Sequence, residues 1–277
     1  MFKTPDLQYV PYKGGRLAYR EAGKGPDLFF LHGMNGSSRS WFYIFEALAP
    51  SFHVVAWDAP SFGASDVFGD KIEDYVDAAK SLMQAVELRE VIVIGHSMGG
   101  VIATQLAADR ECSAAGLVLS STHLGFGLPA TAPLMARYAR RIDRIKSDGI
   151  DLAYGLERAK RSTPEGTSQA VIRFLAEIAS GARIEGIRDG GRMSQEADNA
   201  KIGPNVRVPV LILSGGKDTV ISPDMHGALV STFPQAKQVV FPKTGHASYV
   251  ECPDLFNEQI REFAYHCMSP ELSTSKN

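Results

Sequence analysis

Short apolar runs that alternate with helical patterns constrain the fold of this chain more than any other feature of its sequence. Runs this short are atypical of helices and typical of buried parallel strands. Between two of them, apolar residues recur every three or four positions over 72–86, which predicts an amphipathic helix. This alternation predicts an α/β fold, in which helices cover both faces of a parallel sheet. The four runs within the first 121 residues are rich in Val, Ile, Leu and Phe, and they cover 27–33, 52–58, 89–95 and 115–121.

The alternation stops near residue 122 and resumes near residue 206. Within that interval the apolar spacing predicts helices over 133–147 and 168–180, and no strong strand pattern occurs. An interruption of this kind, with strands on both sides, indicates an insertion into one sheet and argues against two independent domains.

Strand patterns return at 208–216 and 237–242, and a final helix is predicted over 253–267. The sheet therefore continues beyond the insertion, and we expect a mostly parallel, twisted sheet of about eight strands. The predicted organisation is a core formed by 1–121 and 206–277, with a helical cap inserted at 122–205.

The composition gives no sign of a partner other than a small-molecule substrate. The formal net charge is -2 and the sequence pI is about 6.4, so nothing indicates binding to nucleic acid or to an anionic membrane. No stretch approaches the roughly 20 apolar residues of a membrane helix, and the first ten residues lack the apolar core of a signal peptide. Cys112, Cys252 and Cys267 have neither the pattern of a disulfide framework nor that of a metal site. We expect a cytoplasmic protein, monomeric or homodimeric.

The segment VIVIGHSMGG at 91–100 places a serine where a buried strand ends. Gly95-His96-Ser97-Met98-Gly99 forms a Gly-x-Ser-x-Gly motif, with a strand pattern before it and an apolar helix pattern after it. Such a strand-to-helix turn exposes the serine hydroxyl above the carboxyl edge of a sheet, and the glycines permit close approach of the neighbouring backbone. The context favours Ser97 as a nucleophile over a purely structural glycine-rich turn.

At this point the sequence resembles the α/β-hydrolase family over nearly its whole length. Five segments carry the resemblance in the order that the family shows: LHGMNGSS at 31–38, DAPSFGASD at 58–66, GHSMGG at 95–100, LSGGKDTVIS at 213–222 and TGHASYVE at 244–251.

The resemblance implies a catalytic set in the chain order serine, acid, histidine. Ser97 needs a base to remove its proton, and His246 lies where the family has that base. The base in turn needs a carboxylate that fixes its tautomer, and Asp218 follows a strand where the family has its acid. The main-chain amides of Met34 and Met98 would form the oxyanion hole. This chemistry needs neither a metal nor an organic cofactor.

Asp218 also has a simpler interpretation, as a turn residue before the helix near Ser222. The catalytic interpretation of Asp218 is favoured because the family's alternative acid position, at residues 120–122, is Ser-Ser-Thr and contains no carboxylate.

One departure from the family pattern is Ser61, which replaces the first glycine of the turn after the fourth strand. The other histidines also have simpler interpretations: His32 orders a loop, His96 packs or bonds beside the nucleophile, His53 starts a strand, and His226 and His266 lie on surface helices.

The substrate is less constrained than the chemistry. A serine nucleophile excludes the dehalogenases and epoxide hydrolases of this fold, which use aspartate. The resemblance is greatest to esterases and enol-lactonases that act on carboxylated catabolic intermediates. Two alternatives stay open: hydrolysis of a carbon–carbon bond in a vinylogous diketone, and a non-catalytic receptor for a small ligand. The candidate substrate-binding residues are His123 at the start of the cap and the cap arginines Arg137, Arg141, Arg144 and Arg192, whose guanidinium groups could hold a carboxylate.

Overall fold

The computed structural model describes residues 3–268, which form one eight-stranded sheet with helices around it. The strand order across the sheet is β1-β2-β4-β3-β5-β6-β7-β8, and every neighbouring pair from β4 to β8 is parallel. The predicted α/β fold with a mostly parallel sheet is therefore confirmed. The strands are β1 (Gln8–Tyr12), β2 (Gly15–Ala22), β3 (Asp27–Leu31), β4 (His53–Trp57), β5 (Val91–His96), β6 (Ala114–Ser120), β7 (Val210–Gly215) and β8 (Lys237–Phe241).

Two strands at one edge, β1 and β2, have no counterpart among the runs that the sequence analysis identified. They form an antiparallel hairpin, and β2 also pairs antiparallel with β4. The two turn residues, Lys13 and Gly14, have φ of 45° and 80°, as the tight turns of twisted hairpins require. β1 is short and only Val10 and Tyr12 are buried in it, so its apolar pattern is weak. This is typical of edge strands.

Eleven α-helices are present among the described residues, with short 3-10 turns at Ser38–Trp41 and Gly203–Asn205. The helices are α1 (Phe42–Leu48), α2 (Ile72–Ala85), α3 (Met98–Ala108), α4 (Ala136–Asp148), α5 (Leu152–Ser162), α6 (Gln169–Ala179), α7 (Ile184–Glu196), α8 (Asn199–Ile202), α9 (Pro223–Thr232), α10 (Ser248–Glu251) and α11 (Pro253–Met268).

The strands bury both of their faces, which explains their continuous apolar sequences. In β5, Val91 and Val93 join an apolar cluster that includes residues of α2 and α3. Ile92 and Ile94 point to the opposite face and join a second cluster with residues of α1 and α11. Successive side chains of a strand alternate between faces, so the part of a strand that helices cover on both sides is apolar at nearly every position.

Helices α4 to α8 all lie between β6 and β7, in the interval where the strand pattern is interrupted. Helices α4, α5 and α7 pack partly on one another through a small cluster that includes Ile142, Tyr154 and Ile187, and α6 packs against α5. They also pack on the core, since Met193 and Leu175 belong to the two large clusters. The final nine residues of the predicted core segment 206–277 lie outside the described residues.

Ser61, the departure from the family pattern, joins this helical region to the core. Its φ is 69°, so the residue adopts the left-handed conformation that glycine adopts more easily. Its hydroxyl donates a hydrogen bond to Asp189 Oδ2 of α7, with an oxygen–oxygen distance of 2.7 Å. Both residues are buried. The serine therefore supplies an attachment between α7 and the loop after β4 that glycine cannot supply.

Candidate active site

Ser97 lies at a sharp turn between β5 and α3. Its φ and ψ are 52° and -119°, a strained combination for a residue with a side chain. The glycines beside it are required by contacts, because a Cβ on Gly99 would lie 2.1 Å from the carbonyl oxygen of Leu31. A Cβ on Gly95 would lie 2.4 Å from the carbonyl oxygen of Gly99. The turn can therefore form only when both positions lack side chains, and it leaves Ser97 on the wall of a cavity.

His246 and Asp218 form a hydrogen-bonded pair beyond the ends of β8 and β7. The distance from His246 Nδ1 to Asp218 Oδ2 is 2.8 Å, and both side chains are more than nine-tenths buried. A carboxylate only accepts hydrogen bonds, so Nδ1 donates and Nε2 of the neutral ring is left as a proton acceptor. This is the tautomer that a general base requires.

The carboxylate of Asp218 stays ionised although it is buried. Burial alone would raise its pKa, but the hydrogen bond from His246 and those from the amides of Val220 and Ile221 outweigh burial, so the pKa lies below its usual value. The two amide hydrogen bonds are 2.7 Å and 3.1 Å long. The loop after β7 therefore holds the acid in one orientation and in its charged form.

The loop that contains His246 is fixed by three contacts that sequence reasoning did not predict. The carboxylate of Glu251 accepts hydrogen bonds from the amides of Gly245 and Ala247, on both sides of the histidine. The amide of His246 donates to the carbonyl of Ser162 at the end of α5, at 2.7 Å. His96 supplies the third contact.

The sequence predicts that His96 packs or hydrogen-bonds beside the nucleophile, and the structure gives it specific contacts with the loop of His246. Its Nε2 lies 2.9 Å from the carbonyl oxygen of His246, so Nε2 donates and Nδ1 carries no proton. The rings of His96 and His246 have centroids 4.8 Å apart, and Tyr249 packs against the His96 ring from another side. Burial lowers the pKa of His96 to about 3, with a further contribution from the nearby His246, so the ring stays neutral.

A cavity of about 750 Å³ lies above the carboxyl edge of the sheet. The parallel strands all end at this edge, and the residues that follow β3, β5, β7 and β8 therefore meet here. Ser97 and His246 line the cavity, as do Met34 and Met98, whose amides are the predicted oxyanion donors. Met98 is the first residue of α3, where main-chain N–H groups have no partner within the helix. Helices α4 and α5 close the cavity on the side away from the sheet.

This fold and cavity agree with comparisons to known proteins. The sequence model of the alpha/beta hydrolase family matches residues 28–259, most of the chain. The chain belongs to the alpha/beta hydrolase family.

Among relatives, the pimeloyl-(acyl-carrier protein) methyl ester esterase of Pectobacterium atrosepticum is 28% identical over 262 residues, which cover 90% of this chain and 98% of that protein. A thermophilic esterase from Thermogutta terrifontis, solved with malate bound, superposes with a TM-score of 0.83 at 25% identity and covers 95% of this chain and 100% of its own. The enol-lactonase of Burkholderia xenovorans has a TM-score of 0.82 at 22% identity over 93% and 100% of the two chains, which shows the shared fold.

In this alpha/beta hydrolase the cavity is strongly basic, although the whole chain has a net charge of -2. Among residues 3–268, the lining contains one carboxylate, that of Glu157. Three of the four predicted cap arginines line it. Arg192 lies outside the lining: its Nη1 donates to the carbonyl of Ala132, and its Nε lies 3.7 Å from Glu196. The basic side chains of the lining are Arg137, Arg140, Arg141, Arg144, Arg158, Lys160 and Arg161.

His123 lines the same cavity and has a fixed tautomer. The amide of Gly125 donates to its Nδ1 at 3.0 Å, so the neutral ring carries its proton on Nε2. Burial, together with smaller contributions from the nearby Arg137 and His246, lowers the pKa of His123 to about 4. The histidine thus presents a neutral ring with one N–H donor to the cavity region.

Sequence reasoning missed Arg158 and Tyr154 of α5, because no helix was predicted over that segment. The run LAYGLERAKRS spaces its apolar residues as an amphipathic helix does, but this pattern is recognisable only once α5 is seen to pack against α6.

Among residues 3–268 no three His, Cys, Asp or Glu side chains converge as a metal site would require. None of the helices in that part of the chain combines the length and hydropathy needed to cross a membrane.

Proposed function

We propose that this protein is a serine-dependent hydrolase that cleaves a small-molecule carboxylic ester or (enol-)lactone through an acyl-enzyme, and that its substrate is a carboxylated metabolite. The observation that supports it best is the His246–Asp218 pair at 2.8 Å beside the cavity that Ser97 lines. A histidine with a free Nε2, a carboxylate behind it and a serine on the cavity wall are the parts that activate a serine nucleophile.

In the first step, His246 Nε2 takes the hydroxyl proton of Ser97 while Oγ attacks the substrate carbonyl carbon. The carbonyl oxygen becomes negative and is stabilised by the amides of Met34 and Met98. Asp218 stabilises the imidazolium that forms, because its carboxylate is ionised and already in contact with Nδ1. Collapse of the intermediate breaks the carbon–oxygen bond, and the leaving oxygen takes the proton from Nε2.

In the second step, a water molecule gives a proton to His246 Nε2 and attacks the acyl carbon. The same amides stabilise the second oxyanion. The bond to Ser97 Oγ breaks, Oγ takes back the proton, and the carboxylic acid product leaves. The contacts of Glu251 and His96 with the histidine loop hold the base in place through both steps.

Two similar proteins support a substrate that contains both an ester and an acidic group. The Pectobacterium protein is named as a methyl ester esterase, and the Thermogutta esterase was solved with malate, a dicarboxylate. The excess of basic side chains in the cavity of the present protein is suited to such a substrate.

The test is labelling by a fluorophosphonate probe together with hydrolysis of a panel of aryl esters, methyl esters and lactones. Ser97→Ala should abolish labelling and turnover, whereas Ser147→Ala, at an exposed serine of α4, should retain both. Asp218→Asn should lower kcat on the order of 10³- to 10⁴-fold by favouring the wrong tautomer of His246. Labelling or turnover that survives in Ser97→Ala would contradict the proposal.

The same panel should include vinylogous ring-fission diketones. Cleavage of these compounds in preference to every ester and lactone would replace the proposed reaction by carbon–carbon bond hydrolysis. Tight binding of an ester without turnover would instead indicate a receptor.

A further inference from the structure

Arg141 differs from the other basic residues that line the cavity. Arg144 and Arg158 both contact the carboxylate of Glu157, and Arg144 Nε also lies 3.5 Å from Asp148 Oδ2, so two carboxylates compensate their two charges. The side chains of Arg137, Arg140, Lys160 and Arg161 belong to exposed residues, where water and salt screen their charges. Arg141 is half-buried, and no carboxylate among the described residues contacts it.

The hydrogen bonds of Arg141 leave most of its donors unused. Its Nη2 lies 2.6 Å from Asn35 Oδ1 and 2.6 Å from the hydroxyl oxygen of Tyr154, both neutral acceptors. A guanidinium has five N–H donors, so the donors on Nε and Nη1 are not used by the contacts found within residues 3–268. Nε is in addition buried without a partner. A half-buried cation with no counter-ion and with unpaired donors raises the free energy of the folded protein unless an anion binds to it.

The two contacts of Arg141 also hold the guanidinium beside the reaction centre. Asn35 is adjacent to Met34, the proposed oxyanion donor, and both residues line the cavity. Tyr154 is buried in α5, and the guanidinium carbon of Arg158 lies over its ring, 5.8 Å from the ring centroid. The guanidinium is therefore held from two sides, by the loop after β3 and by a helix of the insertion, which limits the entropy lost when a ligand binds.

We propose that Arg141 binds the carboxylate of the substrate, at the end remote from the scissile bond, and so makes the enzyme selective for monoesters or lactones of dicarboxylic acids. This inference rests on the proposed function and identifies the residue that recognises the acid. Arg141 acts as a specificity-determining residue: the N–H groups of Nη1 pair with the carboxylate oxygens, while Nη2 stays on Asn35 and Tyr154.

The test compares two substrates that differ only in charge. One is the monomethyl ester of a straight-chain dicarboxylic acid, over a series of chain lengths; the other is the same ester with its carboxylate replaced by a primary amide. The ratio of kcat/KM for the acid to that for the amide measures recognition of the anion. Arg141→Met should lower this ratio about 10- to 100-fold, because a charge-assisted hydrogen-bonded pair is lost. Arg141→Lys should give an intermediate ratio, since the charge remains and the planar fork does not.

Asn35→Asp provides an independent variant of the same size. It places a carboxylate 2.6 Å from Arg141 Nη2 and so compensates the charge that the substrate should meet. The acid-to-amide ratio should fall in this variant too, by repulsion of the substrate and not by loss of the guanidinium. The matched control is Arg173→Met, which removes an exposed arginine of α6 outside the cavity lining and should keep the wild-type ratio.

The inference is wrong if the wild type shows no preference for the acid, or if Arg141→Met and Asn35→Asp keep the wild-type ratio. Such a result would leave the proposed function intact, provided that Ser97→Ala abolishes turnover. If no ester or lactone is turned over, the proposed function fails, and calorimetric binding of the free dicarboxylates still decides the inference: the wild type should bind one of them and Arg141→Met should not. Circular dichroism identifies a variant that does not fold, in which case the remaining two variants decide.

Discussion

Lowering the pH from 7 to 5 should destabilise this protein through two neutral, buried histidines beside the candidate active site. His96 donates from Nε2 to the carbonyl of His246, and His123 accepts at Nδ1 from the amide of Gly125. Protonation of His123 would break its hydrogen bond, and protonation of His96 would place a charge in a buried site. Their pKa values fall from 6.5 to about 3 and about 4 in the folded protein.

The sign and size of the effect follow from proton linkage. Below the unfolded pKa of 6.5 the unfolded chain takes up a proton at each histidine, whereas the folded protein does not until the pH approaches the lowered pKa. The free energy of unfolding therefore decreases as the pH falls, by about 2 kcal/mol for each histidine between pH 7 and pH 5. Two such residues together represent a large part of the 5 to 15 kcal/mol that is typical of a folded domain.

The assay is urea-induced unfolding at pH 7, 6 and 5, followed by circular dichroism, in the wild type, His96→Gln and His123→Gln. Glutamine keeps a hydrogen-bonding amide and does not titrate, so each variant should lose about 2 kcal/mol less than the wild type over this range. The matched control is His266→Gln, at an exposed position of α11 away from the candidate active site, which should behave as the wild type. Variants of His96 and His123 with the full wild-type pH dependence would refute the reasoning.

Two further predictions concern packing around the site. Gly99→Ala should destabilise the fold by about 3 kcal/mol or more, because the new Cβ would lie 2.1 Å from the main-chain oxygen of Leu31. In Gly227→Ala, within α9, the new Cβ would have no atom within 4 Å, so this variant should stabilise the fold by about 0.5 to 1 kcal/mol. Thermal unfolding of both variants checks the contrast, and equal effects would contradict it. Ser61→Ala should cost about 1.5 to 3 kcal/mol, since it removes a buried hydrogen bond to the carboxylate of Asp189. An unchanged urea midpoint for that variant would show that the bond between α7 and the core contributes nothing to stability.

The strands from β3 to β8 and the position of the serine turn could be predicted because they depend on local sequence. A parallel strand with helices on both faces has a nearly continuous apolar sequence. The sharp turn at Ser97 admits only glycine two residues before it and two residues after it, at Gly95 and Gly99. The edge strands β1 and β2 could not be identified in the same way, because they are half-exposed and their pattern is mixed. The contacts of His96 with His246 were also beyond prediction, since they join residues far apart in the chain.

The arginines of α4 show most directly what the sequence by itself determined. Their spacing places several guanidinium groups along one side of α4, and the sequence determined that much, together with the fold and the motif at Ser97. Only the tertiary structure decided which of them is half-buried in the cavity without a carboxylate partner. Glu157 of α5 contacts Arg144 and Arg158, whereas Arg141 meets only the neutral groups of Asn35 and Tyr154. The physical reason is that helix spacing is a local property, but the partner of a charge comes from whichever distant segment the fold brings beside it.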